Sequence, residues 1–70
     1  MDYKEKKKEI EEKYVEPIKA IAVANDVDMG VAYEMFKTNI TQGGKYQYAK
    51  FNEEEAKKDF EELIELAKQN

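Results

Sequence analysis

A chain of 70 residues without Cys, His, Trp, Arg or Ser can form no disulfide, Ser–His nucleophile or thiolate, and it lacks the usual zinc and copper ligands. Its twelve basic residues are all Lys, against 16 acids and a net charge of −4, so the mean field repels nucleic acid and anionic membrane. With 41% hydrophobic and 40% charged residues, the composition is that of a small, very soluble helical protein near the lower size limit for an unaided core.

The expected fold is all-α: one domain over residues 1–70, a bundle of about three to four helices. No apolar run is long enough for a signal peptide or a membrane span, so a cytoplasmic protein is expected. Asp2 and Glu5 have capping-box spacing for a first helix. The first apolar residues at helical spacing are Ile10 and Tyr14, continuing to Ile18 and Ile21. Residues 1–9 therefore have little to bury and are expected to fray or project.

Pro17 cannot donate to the carbonyl of Lys13 and disfavours helical geometry at Glu16, which allows one kinked helix or, the preferred reading, a break or sharp kink with a helix over residues 17–24. That stretch is apolar nearly all round and is expected to be the most buried element. Residues 25–28 read as a turn, with Asp28 or Asp26 capping a helix over residues 29–40. Its apolar face is Val31, Ala32, Met35, Phe36 and Ile40, and Gly43-Gly44 ends it. Residues 45–51 alternate in polarity, which allows a minimal β-hairpin or extended segment around residues 38–51.

Asn52 followed by Glu55 has capping spacing for the last helix, and Ala56, Phe60, Leu63, Ile64 and Ala67 fall on one stripe of it. The expected core is Ile10, Tyr14, Ile18, Ile21, Ala22, Val27, Val31, Met35, Phe36, Ile40, Phe51, Phe60, Leu63, Ile64 and Ala67.

Several motifs carry candidate chemistry. Residues 18–37 have a helix-turn-helix-like pattern, with Asp26 at a turn position that needs left-handed geometry and Val27 plugging the core. Its outward face would show Asp28, Met29, Gly30, Tyr33, Glu34 and Lys37, two acids for one base, which is poor chemistry for phosphate. Asp26–Gly30 has the start of a calcium loop. With Gly30 at the sixth position, however, Val27 and Phe36 stand where oxygen ligands are required.

The stretch Tyr33-Glu-Met-Phe-Lys37, with the later Tyr46 and Lys50, resembles a fragment of acyl-CoA-binding helical bundles, which hold phosphates with Tyr and Lys. The resemblance implies an anionic small-molecule site between helices, but it covers only these residues, and the chain is too short for that bundle with its long loop. The Glu runs at residues 9–12, 53–55 and 61–62 would suit a phosphate mimic, yet interleaved Lys makes them read as solvated helix faces.

Residues 35–52 contain no acid at all. They combine Lys, neutral amides, aromatics and a Gly-Gly break, the mixture that contact surfaces use for area and adaptable hydrogen bonding. The candidate partner-binding residues are Lys37, Thr38, Asn39, Gln42, Lys45, Tyr46, Gln47, Tyr48 and Lys50. No catalytic residue, metal or cofactor is expected. The functional expectation is a small non-catalytic, regulatory protein–protein interaction module, of the accessory type that phages and mobile elements encode. The alternative is a weak nucleic-acid-binding, helix-turn-helix-like domain with a short Lys/Tyr wing.

Overall fold

Local hydrogen bonds set three of the four helix starts among the described residues of this protein. In the computed structural model, which describes residues 1–44 and 49–69, the helices are α1 (Tyr3–Lys13), α2 (Val15–Asn25), α3 (Met29–Thr41) and α4 (Glu53–Lys68). Asp2 closes a full capping box with Glu5, Asp28 accepts the Val31 N–H at 2.8 Å, and Asn52 accepts the Glu55 N–H at 3.0 Å. The exception is α2, which starts at Tyr14 with no side-chain cap; Tyr14 (φ −112°, ψ 28°) ends α1 and opens α2 by itself. The break foreseen at Pro17 thus falls three residues earlier, because Pro is tolerated in a helix's first turn.

At its other end, α2 stops in a Schellman motif. Asp26 is left-handed (φ 53°), its N–H donates to the Val23 carbonyl, and the Val27 N–H reaches back to Ala22 at 3.0 Å. The helix-turn-helix pattern placed Asp at this left-handed position, and Val27 packs against the core from it.

The helices pack α2 on α3, α3 on α4, and α1 on both α4 and α2. Phe36 sits at the centre of an aromatic cluster, with ring centroids 5.6 Å from Tyr14, 5.1 Å from Phe51 and 5.8 Å from Phe60. Ile10, Ile18, Ile21, Ala32, Tyr33, Ile40, Ala56 and Leu63 complete the hydrophobic core cluster.

Several expectations need correction. Residues 1–9 do not project: α1 is helical from Tyr3 and buries Lys6, because ion pairs substitute for the missing apolar contacts. The helix α2 is not the most buried element. Only Pro17, Ile18 and Ile21 are covered and Val23 is 76% exposed, since each helix of so small a bundle has a solvent side. On α3 the buried face is Ala32, Tyr33, Phe36 and Ile40: three expected positions hold, but Tyr33 goes inward in place of Val31, which faces water. On α4 the buried stripe is Ala56, Asp59, Phe60 and Leu63, which leaves Ile64 and Ala67 exposed. No strand occurs among the described residues, and residues 38–41 belong to α3, so they cannot serve as one arm of a hairpin. No helix among them is long and apolar enough to cross a membrane.

Candidate partner-binding face

The acid-free segment begins inside α3. Lys37 is half-buried, with its ammonium 3.9 Å from Glu34; Thr38 is exposed, and its carbonyl accepts the Gln42 N–H at 2.9 Å. Gln42 caps the helix, and Gly43 follows in left-handed geometry at φ +70°. The Gly44 N–H then donates to the Asn39 carbonyl at 2.8 Å. A Cβ on Gly44 would stand 2.6 Å from Asn39 Oδ1, the far end of a side chain that can turn aside, so it is Gly43, with its positive φ, that this turn requires to be glycine. Lys50 is exposed beside Phe51, whose ring contact with Phe36 fixes the segment's far end against α3. The remaining candidates, Lys45, Tyr46, Gln47 and Tyr48, lie outside the described residues.

Thr38 and Asn39 share a shallow groove of about 340 Å³ with Val31, Glu34 and Met35. These residues stand one and two turns apart on α3, a single outward stripe. Val31, 46% exposed, and half-buried Met35 give the groove its apolar floor. Met35 also packs against the core, as its spacing implies, whereas Val31 does not; a Val at helical spacing from other apolar residues reads as a buried position whichever way it turns.

The helix-turn-helix recognition face is altered in the same region. Tyr33 is 2% exposed and cannot reach a groove, and the Asp28 carboxylate is engaged in capping. What remains outward is Met29, Gly30, Glu34 and half-buried Lys37.

A second cluster, unforeseen from sequence, joins α1 to α4. Asp59 is 6% exposed and accepts from Lys6 at 2.9 Å, Lys13 at 3.0 Å and the Tyr14 hydroxyl at 2.5 Å. Lys6, 4% exposed, also pairs with Glu9 at 2.9 Å and Glu62 at 3.0 Å. Burial alone would raise the Asp59 pKa, but the Tyr14, Lys6 and Lys13 donors outweigh it and hold it below the ordinary carboxylate value. Burial likewise pushes Lys6 down, and hydrogen bonds to Glu9, Asp59 and Glu62 outweigh it and hold the ammonium above its ordinary value. Tyr14 is raised by burial and then by Asp59. Each group is moved away from neutral pH, which makes Asp59 a weak base, Tyr14 a weak acid and Lys6 a poor nucleophile. The arrangement is suited to holding two helices together. The only sequence signal for it was a charge, Asp59, one residue before the core position Phe60.

Among the described residues no group of three or more His, Cys, Asp or Glu is placed to hold a metal ion. No family model matches the chain, and neither a curated protein nor a solved structure matches it.

Proposed function

We propose that this protein is a non-catalytic interaction module that engages another protein through the outward stripe of α3 and the turn that follows it. The observation that carries this reading is the exposed Val31, set beside Met35, Thr38 and Asn39 in one groove. Neutral amides and a hydroxyl at the rim supply hydrogen bonds around an apolar floor, as protein contacts require. Glu34 and Lys37 largely cancel each other, so the stripe itself carries little charge. Lys50, with Lys45 in the same acid-free run, would steer an acidic partner toward it. The same two lysines would supply phosphate contacts in the nucleic-acid alternative, which the acids Asp28 and Glu34 disfavour.

The test uses Val31→Glu. Position 31 is the third residue of α3, where Glu completes a capping box with Asp28, so stability should change by no more than about 0.5 kcal/mol. The expected outcome is a partner retained on the immobilised wild-type protein and lost from the variant. Titration of single- and double-stranded DNA at about 50 and about 200 mM salt forms the second arm. Binding that weakens with salt and survives Val31→Glu overturns the protein-binding reading in favour of the nucleic-acid one.

A further inference from the structure

The helix α1 is held to the rest of the molecule in an unusual way. It buries only Lys6 and Ile10, with Tyr3 half-buried, and its other anchors are ion pairs to α4. Lys6 reaches Asp59 and Glu62, while Lys13 reaches Asp59 and Glu55 at 3.0 and 3.1 Å, so the two helices run antiparallel. All these partners lie on α4, far along the chain, and nothing in their geometry requires that α1 and α4 belong to one molecule.

The connection between α1 and α2 is a single residue. Tyr14 is non-helical, yet helical hydrogen bonds already span it, from the Tyr14 N–H to Ile10 at 2.9 Å and from the Ile18 N–H to Tyr14 at 3.1 Å. Opening this joint breaks few backbone hydrogen bonds, and because the Pro17 ring would clash with the Lys13 carbonyl in a continuous helix, the arm swings out as a kink about Tyr14 and not as one straight helix. Short hinges of this kind favour exchange of the element they tether.

The face that α1 covers also contains a defect. Tyr33 of α3 lies beneath it, with the Lys7 ammonium 5.3 Å from the ring centroid and the phenol hydroxyl buried without a hydrogen-bond partner among the described residues. An orphaned hydroxyl penalises the closed arrangement and is relieved by water when α1 lifts.

We propose that α1 is an exchangeable arm and that the Asp59 face of α4 accepts α1 from a second copy of this chain, giving a reciprocal, two-fold symmetric dimer. The occupant is identified by fit: the face holds a buried carboxylate ringed by Tyr14, Glu55 and Glu62, and α1 supplies the two ammonium groups and the isoleucine that match it. Exchange reproduces every α1–α4 ion pair between copies, so monomer and dimer differ mainly in hinge geometry and in the entropy of association. This surface is separate from the outward stripe of α3, and the proposal does not depend on what that stripe binds.

The decisive experiment uses wild-type protein. Isotopically light and heavy copies are unfolded and refolded together at high concentration, then treated with a zero-length carbodiimide that couples neighbouring amines and carboxylates. Lys13 and Glu55 are both solvent-accessible and 3.1 Å apart, so their cross-link reports which copy's arm occupies the face. The expected product joins one light and one heavy chain. If every Lys13–Glu55 cross-link joins chains of equal mass, the proposal is overturned.

A charge-reversed pair provides an independent measurement. Lys6→Glu/Lys13→Glu and Asp59→Lys should each elute alone as an 8.2 kDa monomer with a loosened α1. Mixed in equal amounts they should shift to twice that mass, because the charge at position 59 is matched by an arm only on the other chain, while Glu55 and Glu62 are the same in every pairing. A mixture in which both variants are folded and stay at monomer mass also overturns the proposal.

Discussion

The two sides of this bundle reach stability by different routes. Between α2 and α3 the contact is apolar: Ile18, Ile21, Ala32, Phe36 and Ile40 are covered, with Phe36 linking the rings of Tyr14, Phe51 and Phe60. Between α1 and α4 a buried carboxylate gathers two ammonium groups and a phenol. Apolar burial is non-directional and tolerates small shifts, whereas the Asp59 cluster works only if every donor is in place. The α2–α3 side thus rests on apolar burial alone, while the α1–α4 side adds to the buried Ile10, Phe60 and Leu63 a charged cluster that fixes where a largely hydrophilic helix docks.

Truncation on the apolar side should produce the largest effect. Phe36→Ala removes a fully buried ring with three aromatic neighbours and should cost about 4 kcal/mol, close to the whole stability of a domain this size. Urea denaturation checks it, and a loss below about 2 kcal/mol would mean the cluster collapses around the gap.

Asp59→Asn should cost less, about 2–3 kcal/mol, since Lys6 keeps Glu9 and Glu62 as partners. Its cost should also depend on pH. Because the folded Asp59 pKa lies below the ordinary value of 3.8, its contribution is present above that value and lost as pH falls through the folded pKa. Wild type and variant should therefore converge in strong acid. The raised Lys6 acts at the opposite end: its contribution is present below 10.5 and fades as pH rises through the folded pKa. Between about pH 5 and about pH 10 the difference should be flat. A gap that varies within that window would mean that another group titrates in the cluster.

The comparison also explains what could be read from sequence. Asp2, Asp28 and Asn52 were legible as caps because capping is a local bond between a side chain and an N–H three residues on. Asp26 was legible at its turn because few side chains accept positive φ. The face of α3 was not, since Val31 and Tyr33 are both apolar enough to be buried and only α1 and α4 decide that Tyr33 goes inward. Lys6 and Asp59 were harder still. In a chain that is 40% charged, nothing marks the one Lys and one Asp that turn toward each other across about fifty residues. Of the candidate contact residues, Thr38 and Gln42 are where the acid-free pattern placed them, exposed at the end of α3. The apolar floor beside them is only half legible, since Met35 packs against the core as its spacing implies while Val31 does not.

The smallest effect should come from the boundary between the two sides, where Tyr33 of α3 meets α1. Tyr33→Phe keeps the ring that contacts Phe60 and faces Lys7, and removes only a hydroxyl that is buried without a partner among the described residues. A buried polar group in that state costs free energy, so the variant should be more stable than wild type by about 1 kcal/mol. The urea midpoint should rise with no change in slope, because the surface exposed on unfolding is nearly the same. A fall in midpoint would show instead that the hydroxyl is bonded, by a water lodged under α1. That side of the bundle would then be held by solvent as well as by ions, and α1 would be harder to release.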